Sequence, residues 1–174
     1  PGRGYGTGFE SAEARRRRAS VVAKFQSLPL PKEEAKALDD LWRSLNGTEW
    51  KRRDGWEQRT ARPAACHGVR VEPYGRWAHV ARLRLGFNGL RGPLPDTLGA
   101  FSKLRELVLY GNTISGTIPD SVGLLGNLEY FALYNTMVSG PIPHSIGACT
   151  GLRILALQCN SLCGTVPSTL GNLL

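Results

Sequence analysis

Residues 83–99 read LRLGFNGLRGPLPDTLG. Leucines recur there at fixed offsets between glycines and prolines, a spacing that suits neither a helix nor a plain loop. The pattern returns as LVLYGNTISGTIPDSVG from Leu107, FALYNTMVSGPIPHSIG from Phe131 and LALQCNSLCGTVPSTLG from Leu155, a step of 24 residues each time. A constant period of this size predicts a solenoid, whose units cannot bury their apolar faces alone and must stack. No insertion breaks the register, and residues 80–174 divide into four repeats, 80–103, 104–127, 128–151 and 152–174.

Counting from Val80, Leu104, Leu128 and Leu152 as position 1, the pairs Leu83/Leu85, Leu107/Leu109, Phe131/Leu133 and Leu155/Leu157 alternate as in a strand with one buried face. Successive strands are expected to pair in parallel. Asn88, Asn112 and Asn160 follow where the chain must bend inward, with Thr136 at the third-repeat position. An amide there can donate to and accept from backbone groups that have left the ladder, and stacked copies form a column. A repeated apolar–Gly–apolar–Pro set then fixes the turn, and positions 19 and 22, such as Leu98 and Phe101, close the convex side.

This unit resembles the plant-type leucine-rich repeat, LxxLxLxxNxLxGxIP, of plant, algal and protist proteins. The upstream stretches ALDDLWRSLNGTEWKRRDGW and ACHGVRVEPYGRWAHVARLRL are similar to that family's N-terminal cap. The resemblance implies an α/β repeat solenoid: a right-handed superhelix with a concave parallel β-sheet, a second short strand near G-x-I-P, and an N-terminal helical cap. Two departures stand out. Val71 stands where the family's second cap cysteine, partner to Cys66, is expected, which weakens the case for an oxidising compartment. Thr136 replaces the column asparagine, so the third repeat is expected to be locally distorted.

Residues 1–30 read as a basic N-terminal extension, flexible or marginally helical, with a helix capped by Ser11 and a cluster at Arg15, Arg16, Arg17 and Arg18. That cluster suits an acidic protein or an anionic membrane surface. Residues 31–79 form the cap: Ala35, Leu38, Leu41, Trp42 and Leu45 lie at helical spacing, Glu33 and Glu34 open the helix, Asn46-Gly47 stops it, and Trp50, Trp56 and Trp77 are expected to supply its packing.

The chain carries 22 Lys+Arg against 14 Asp+Glu, net +8, with the excess concentrated early. The arginines gather in one tail and form no stripe interleaved with aromatics, which speaks against nucleic acid. No run of 18 apolar residues and no signal-peptide core is present. Cys149 reads as a small core side chain, and Cys159 and Cys163 as a conceivable disulfide or half of a metal site. With His67, His79 and His144 scattered, no metal, cofactor or catalytic group is expected. Asn46-Gly47-Thr48 matches a glycosylation acceptor, and equally a helix stop.

The informative surface is concave: Arg82, Arg84, Phe87, Glu106, Val108, Tyr110, Tyr130, Tyr134, Ile154 and Gln158. It runs from basic to aromatic and apolar, a composition enriched at binding hot spots. The chain reads as a non-catalytic interaction module, an adaptor or peripheral subunit bound to other protein subunits through this face and through a C-terminal end that has no cap at Leu174. An intracellular or organellar location suits this reading. The alternative is an extracellular recognition domain, receptor-ectodomain or inhibitor-like, for a peptide, glycan or secreted enzyme.

Overall fold

The computed structural model describes Ser11, Glu13 and residues 28–173. The helix expected after Ser11 and the Arg15–Arg18 cluster fall outside the described residues. Leu28 and Leu30 already pack against the core, just upstream of the cap helix.

Helix α1 spans Lys32–Ser44, with Glu33 and Glu34 in its first turn and Arg43 in its last, the polarity a helix dipole favours. It ends where Asn46 enters the left-handed region at φ 55°. A side chain on the next residue, Gly47, would put its Cβ 2.0 Å from the Trp42 ring. The buried face holds Ala37, Leu38, Leu41 and Trp42, and also Glu34, which the sequence assigned only to the helix opening. Ala35 is only partly buried.

Trp42, Trp50 and Trp56 form one cluster, with centroid separations of 5.1, 5.8 and 4.7 Å. Trp50 Nε1 donates to Leu45 O at 2.8 Å and Trp56 Nε1 to His67 O at 2.9 Å, so both indoles satisfy their donors while buried. Trp77, expected in this packing, lies elsewhere. It begins the strand Trp77–Arg84, half-buried, and Trp42 of the helix joins Trp50 and Trp56 instead.

The strands follow in chain order: β1 Val69–Tyr74, β2 Trp77–Arg84, β3 Arg91–Pro93, β4 Glu106–Val108, β5 Thr113–Ser115, β6 Tyr130–Ala132, β7 Ser139–Gly140, β8 Ile154–Ala156 and β9 Ser161–Leu162. The main sheet has the order β1-β2-β4-β6-β8. It is parallel from β2 onward, and Leu83, Leu107, Phe131 and Leu155 sit in register, as a 24-residue step requires. The antiparallel β1–β2 hairpin was not anticipated; through it the cap sheet continues directly into the first repeat.

The short outer strands pair as β3–β5 and β7–β9. Between those pairs Met137 N donates to Ile114 O and Ser139 N to Gly116 O, each at 2.8 Å, without forming a strand pair. The convex side is built of 3-10 turns at Asp96–Ala100, Asp120–Leu124, His144–Ala148 and Ser168–Leu173, the first three entered through an extended proline. Leu98, Phe101, Val122, Leu125, Ile146 and Cys149 are fully buried there, and each large apolar side chain so removed from water contributes about 1.5–3 kcal/mol.

The asparagine positions behave differently along the stack. Asn112 Oδ1 accepts from Asn88 N at 2.9 Å and Leu90 N at 3.1 Å, while its amide lies 2.9 Å from Leu85 O and 2.6 Å from Leu109 O. Asn88 continues the column into the cap, accepting from Arg52 N at 2.7 Å and donating to Arg52 O at 3.0 Å. Thr136 Oγ1 reaches Leu133 O at 3.1 Å and Asn160 Oδ1 at 2.5 Å, both within its own repeat or the next. The column therefore breaks between Asn112 and Thr136. The main-sheet register of the third repeat is nonetheless regular, so the distortion expected there lies outside the main sheet, in the column and in the missing β5–β7 pairing.

Candidate binding face

β2, β4 and β6 present alternate side chains on the concave side. Glu106 lies between two arginines: Arg84 Nε donates to its Oε2 at 2.6 Å, and Arg82 Nε lies 3.2 Å from its Oε1 as an ion pair. The Arg84 side chain is 59% exposed, so this pairing contributes little to stability and leaves the guanidinium accessible.

Next to this triad runs a line of rings. Phe87 meets Tyr110 edge to face at 5.2 Å and 89°, and Tyr110 stacks on Tyr134 at 4.5 Å and 5°. Arg84, Glu106, Val108, Tyr110 and Tyr130 line one depression of about 380 Å³. Tyr134 joins that group by stacking. Ile154, beside Tyr130 in the sheet, and Gln158 are exposed one repeat further on and do not line it. Desolvation, together with the Tyr110 and Tyr130 phenols, pushes the Tyr134 phenol above its ordinary value.

Residues 103–125 and 151–173 match the family model for the Leucine Rich Repeat. The fold is a leucine-rich-repeat solenoid. It is similar to the ectodomain of the Arabidopsis thaliana receptor kinase SOBIR1, with TM-score 0.70 and 27% identity over 84% of this chain and 76% of that one. A second likeness is to the Arabidopsis BIR3–SERK2 complex, with TM-score 0.65 and 28% identity over 79% and 74%. A third is to the Arabidopsis receptor kinase GASSHO1/SCHENGEN3, solved with CASPARIAN STRIP INTEGRITY FACTOR 2, at TM-score 0.65 and 28% identity; it covers 88% of this chain but 16% of that one. No curated protein matches the sequence.

One feature of this leucine-rich-repeat face escaped the sequence reading. Position 8 of each repeat takes a left-handed backbone: Phe87 at φ 53°, Gly111 at 68°, Asn135 at 53° and Cys159 at 58°. Glycine and asparagine suit that region; phenylalanine does not. Gly111 and Asn135 were the available signal. Phe87 is 62% exposed, and its ring lies where a side chain on Gly111 would go, 2.4 Å from the Cβ position. A strained, exposed aromatic supported from below is a feature that packing alone does not require.

Of the cysteines, Cys66 and Cys149 are buried and Cys159 and Cys163 exposed, all four as free thiols. Asn46 is exposed, and Thr48 Oγ1 lies 3.5 Å from its Oδ1. Among the described residues no helix is long and apolar enough to cross a membrane.

Proposed function

We propose that this leucine-rich-repeat interaction module is non-catalytic and binds a segment of a partner protein along its concave face, as an adaptor or peripheral subunit of a larger assembly. The observation that carries the reading is the continuous strip from Arg84 and Glu106 through Tyr110 to Tyr134: charge at one end, stacked rings in the middle, and a depression beside them. Arginine and tyrosine supply the large, low-entropy contacts that dominate interfaces. An intracellular or organellar setting is supported by Val71 standing where the cap's second cysteine is expected, which leaves Cys66 without that disulfide partner.

A second reading, extracellular recognition of a peptide, is favoured by the likeness to receptor ectodomains and by the exposed acceptor Asn46. Affinity isolation of the native protein, with intact-mass analysis, separates the two. A stoichiometric co-purifying subunit that is lost from a Tyr110→Ala/Tyr134→Ala variant of unchanged melting temperature supports the assembly reading. A solitary protein carrying a sugar on Asn46 rejects it in favour of the second.

A further inference from the structure

The β1–β2 hairpin ends in a turn that points away from the repeats' shared core. Tyr74 is 63% exposed, Arg76 is exposed, and Gly75 between them has a left-handed backbone with open space on its Cβ side. Two cation–ring pairs are assembled there: Lys103 Nζ lies 4.6 Å from the Tyr74 ring, and the Arg76 guanidinium 5.7 Å from the ring of Trp77. Arg105 stands alongside, 3.9 Å from Glu72. Arg76, Lys103 and Arg105 against Glu72 leave two positive charges in excess.

We propose that this tip docks onto an anionic membrane surface, with Tyr74 and Trp77 at the level of the headgroups and Arg76, Lys103 and Arg105 against the lipid phosphates. Tyrosine and tryptophan settle at the boundary between polar and apolar layers, and lysine and arginine are drawn to an anionic leaflet. A projecting turn contacts a planar charged layer without shape matching, whereas a folded acidic partner needs a complementary hollow.

The test is co-sedimentation of the full chain with phosphatidylcholine vesicles, with and without phosphatidylserine. The wild type should pellet only with the anionic vesicles. A Tyr74→Ser/Arg76→Ser variant should lose binding by roughly tenfold, and Lys103→Ser, outside the hairpin, should weaken it in the same direction, so that a misfolded turn cannot account for the result. Equal pelleting of the tip variants and the wild type, no pelleting at all, or binding to polyglutamate in place of vesicles would overturn the proposal, the last by assigning the tip to an acidic protein.

Discussion

Glu34 Oε1 and His79 Nδ1 lie 2.6 Å apart, at a point where Glu34 is 1% exposed. Glu34 Oε2 also accepts from Val80 N at 2.8 Å, so one carboxyl ties the cap helix to the strand that starts the repeats. Burial is the largest influence and pushes the carboxyl above its ordinary 4.5, against the lowering effect of Val80 N and His79.

The sign of the pH effect follows. The folded state holds this proton more tightly than the unfolded chain does. The stabilisation is therefore fully present below about 4.5 and is lost as pH rises through the higher folded value. Glu34→Gln keeps an acceptor for Val80 N and removes the titration. Urea midpoints measured across this window should decline with pH in the wild type relative to the variant; parallel curves would reject the assignment. Glu34→Ala, which orphans Val80 N, should cost about 1–3 kcal/mol.

Thr136→Asn should restore the broken column and raise stability by about 1 kcal/mol, the ordinary net worth of a buried hydrogen bond. Asn112→Ala removes the acceptor shared by Asn88 N and Leu90 N and should cost about 2–4 kcal/mol. Chemical denaturation reads both; a destabilising Thr136→Asn would mean that the third repeat cannot accommodate the amide.

Phe87→Asn relieves a left-handed phenylalanine and should leave stability unchanged or raise it by up to about 1 kcal/mol, while weakening capture of the partner. Gly111→Ala clashes with the Phe87 ring and should be destabilising, less so once Phe87 is Asn. A double-mutant cycle measures that coupling, and strict additivity would show that ring and glycine do not interact.

Thiol alkylation followed by mass spectrometry should label Cys159 and Cys163 promptly and leave Cys66 and Cys149 protected. Burial pushes the Cys66 thiol up to about 11, and its Sγ lies 3.4 Å from Gly55 O. Since the thiolate is the reactive species, early labelling of Cys66 would contradict the packing described.

The parallel register was legible in the sequence because strand alternation has period two and the repeat length itself sets the stagger between Leu83, Leu107 and Phe131. The hairpin was not, because the alternation Val69-Arg70-Val71-Glu72 is short and Pro73 interrupts it, and only Val69 of that strand is buried. Nor was the burial of Glu34, whose partners lie 45 and 46 residues away. On the concave face the residue types Arg84, Tyr110 and Tyr134 could be named from position alone. Their stacking, and the clamping of Glu106 between two arginines, depend on rotamers that position does not specify.

The break at Thr136 coincides with the gap between the outer strand pairs β3–β5 and β7–β9. In a stack held together by nearest-neighbour interfaces, this joint has lost two of its fasteners and keeps the main sheet, the core and two outer backbone bonds. If the missing column and outer-strand pairing set its strength, the joint between the second and third repeats should open before the others. Tyr110 and Tyr134 stack across that joint. A partner laid over the two rings, as proposed above, would bridge the joint like a suture, and mechanical pull or heat is expected to part the unliganded molecule there first.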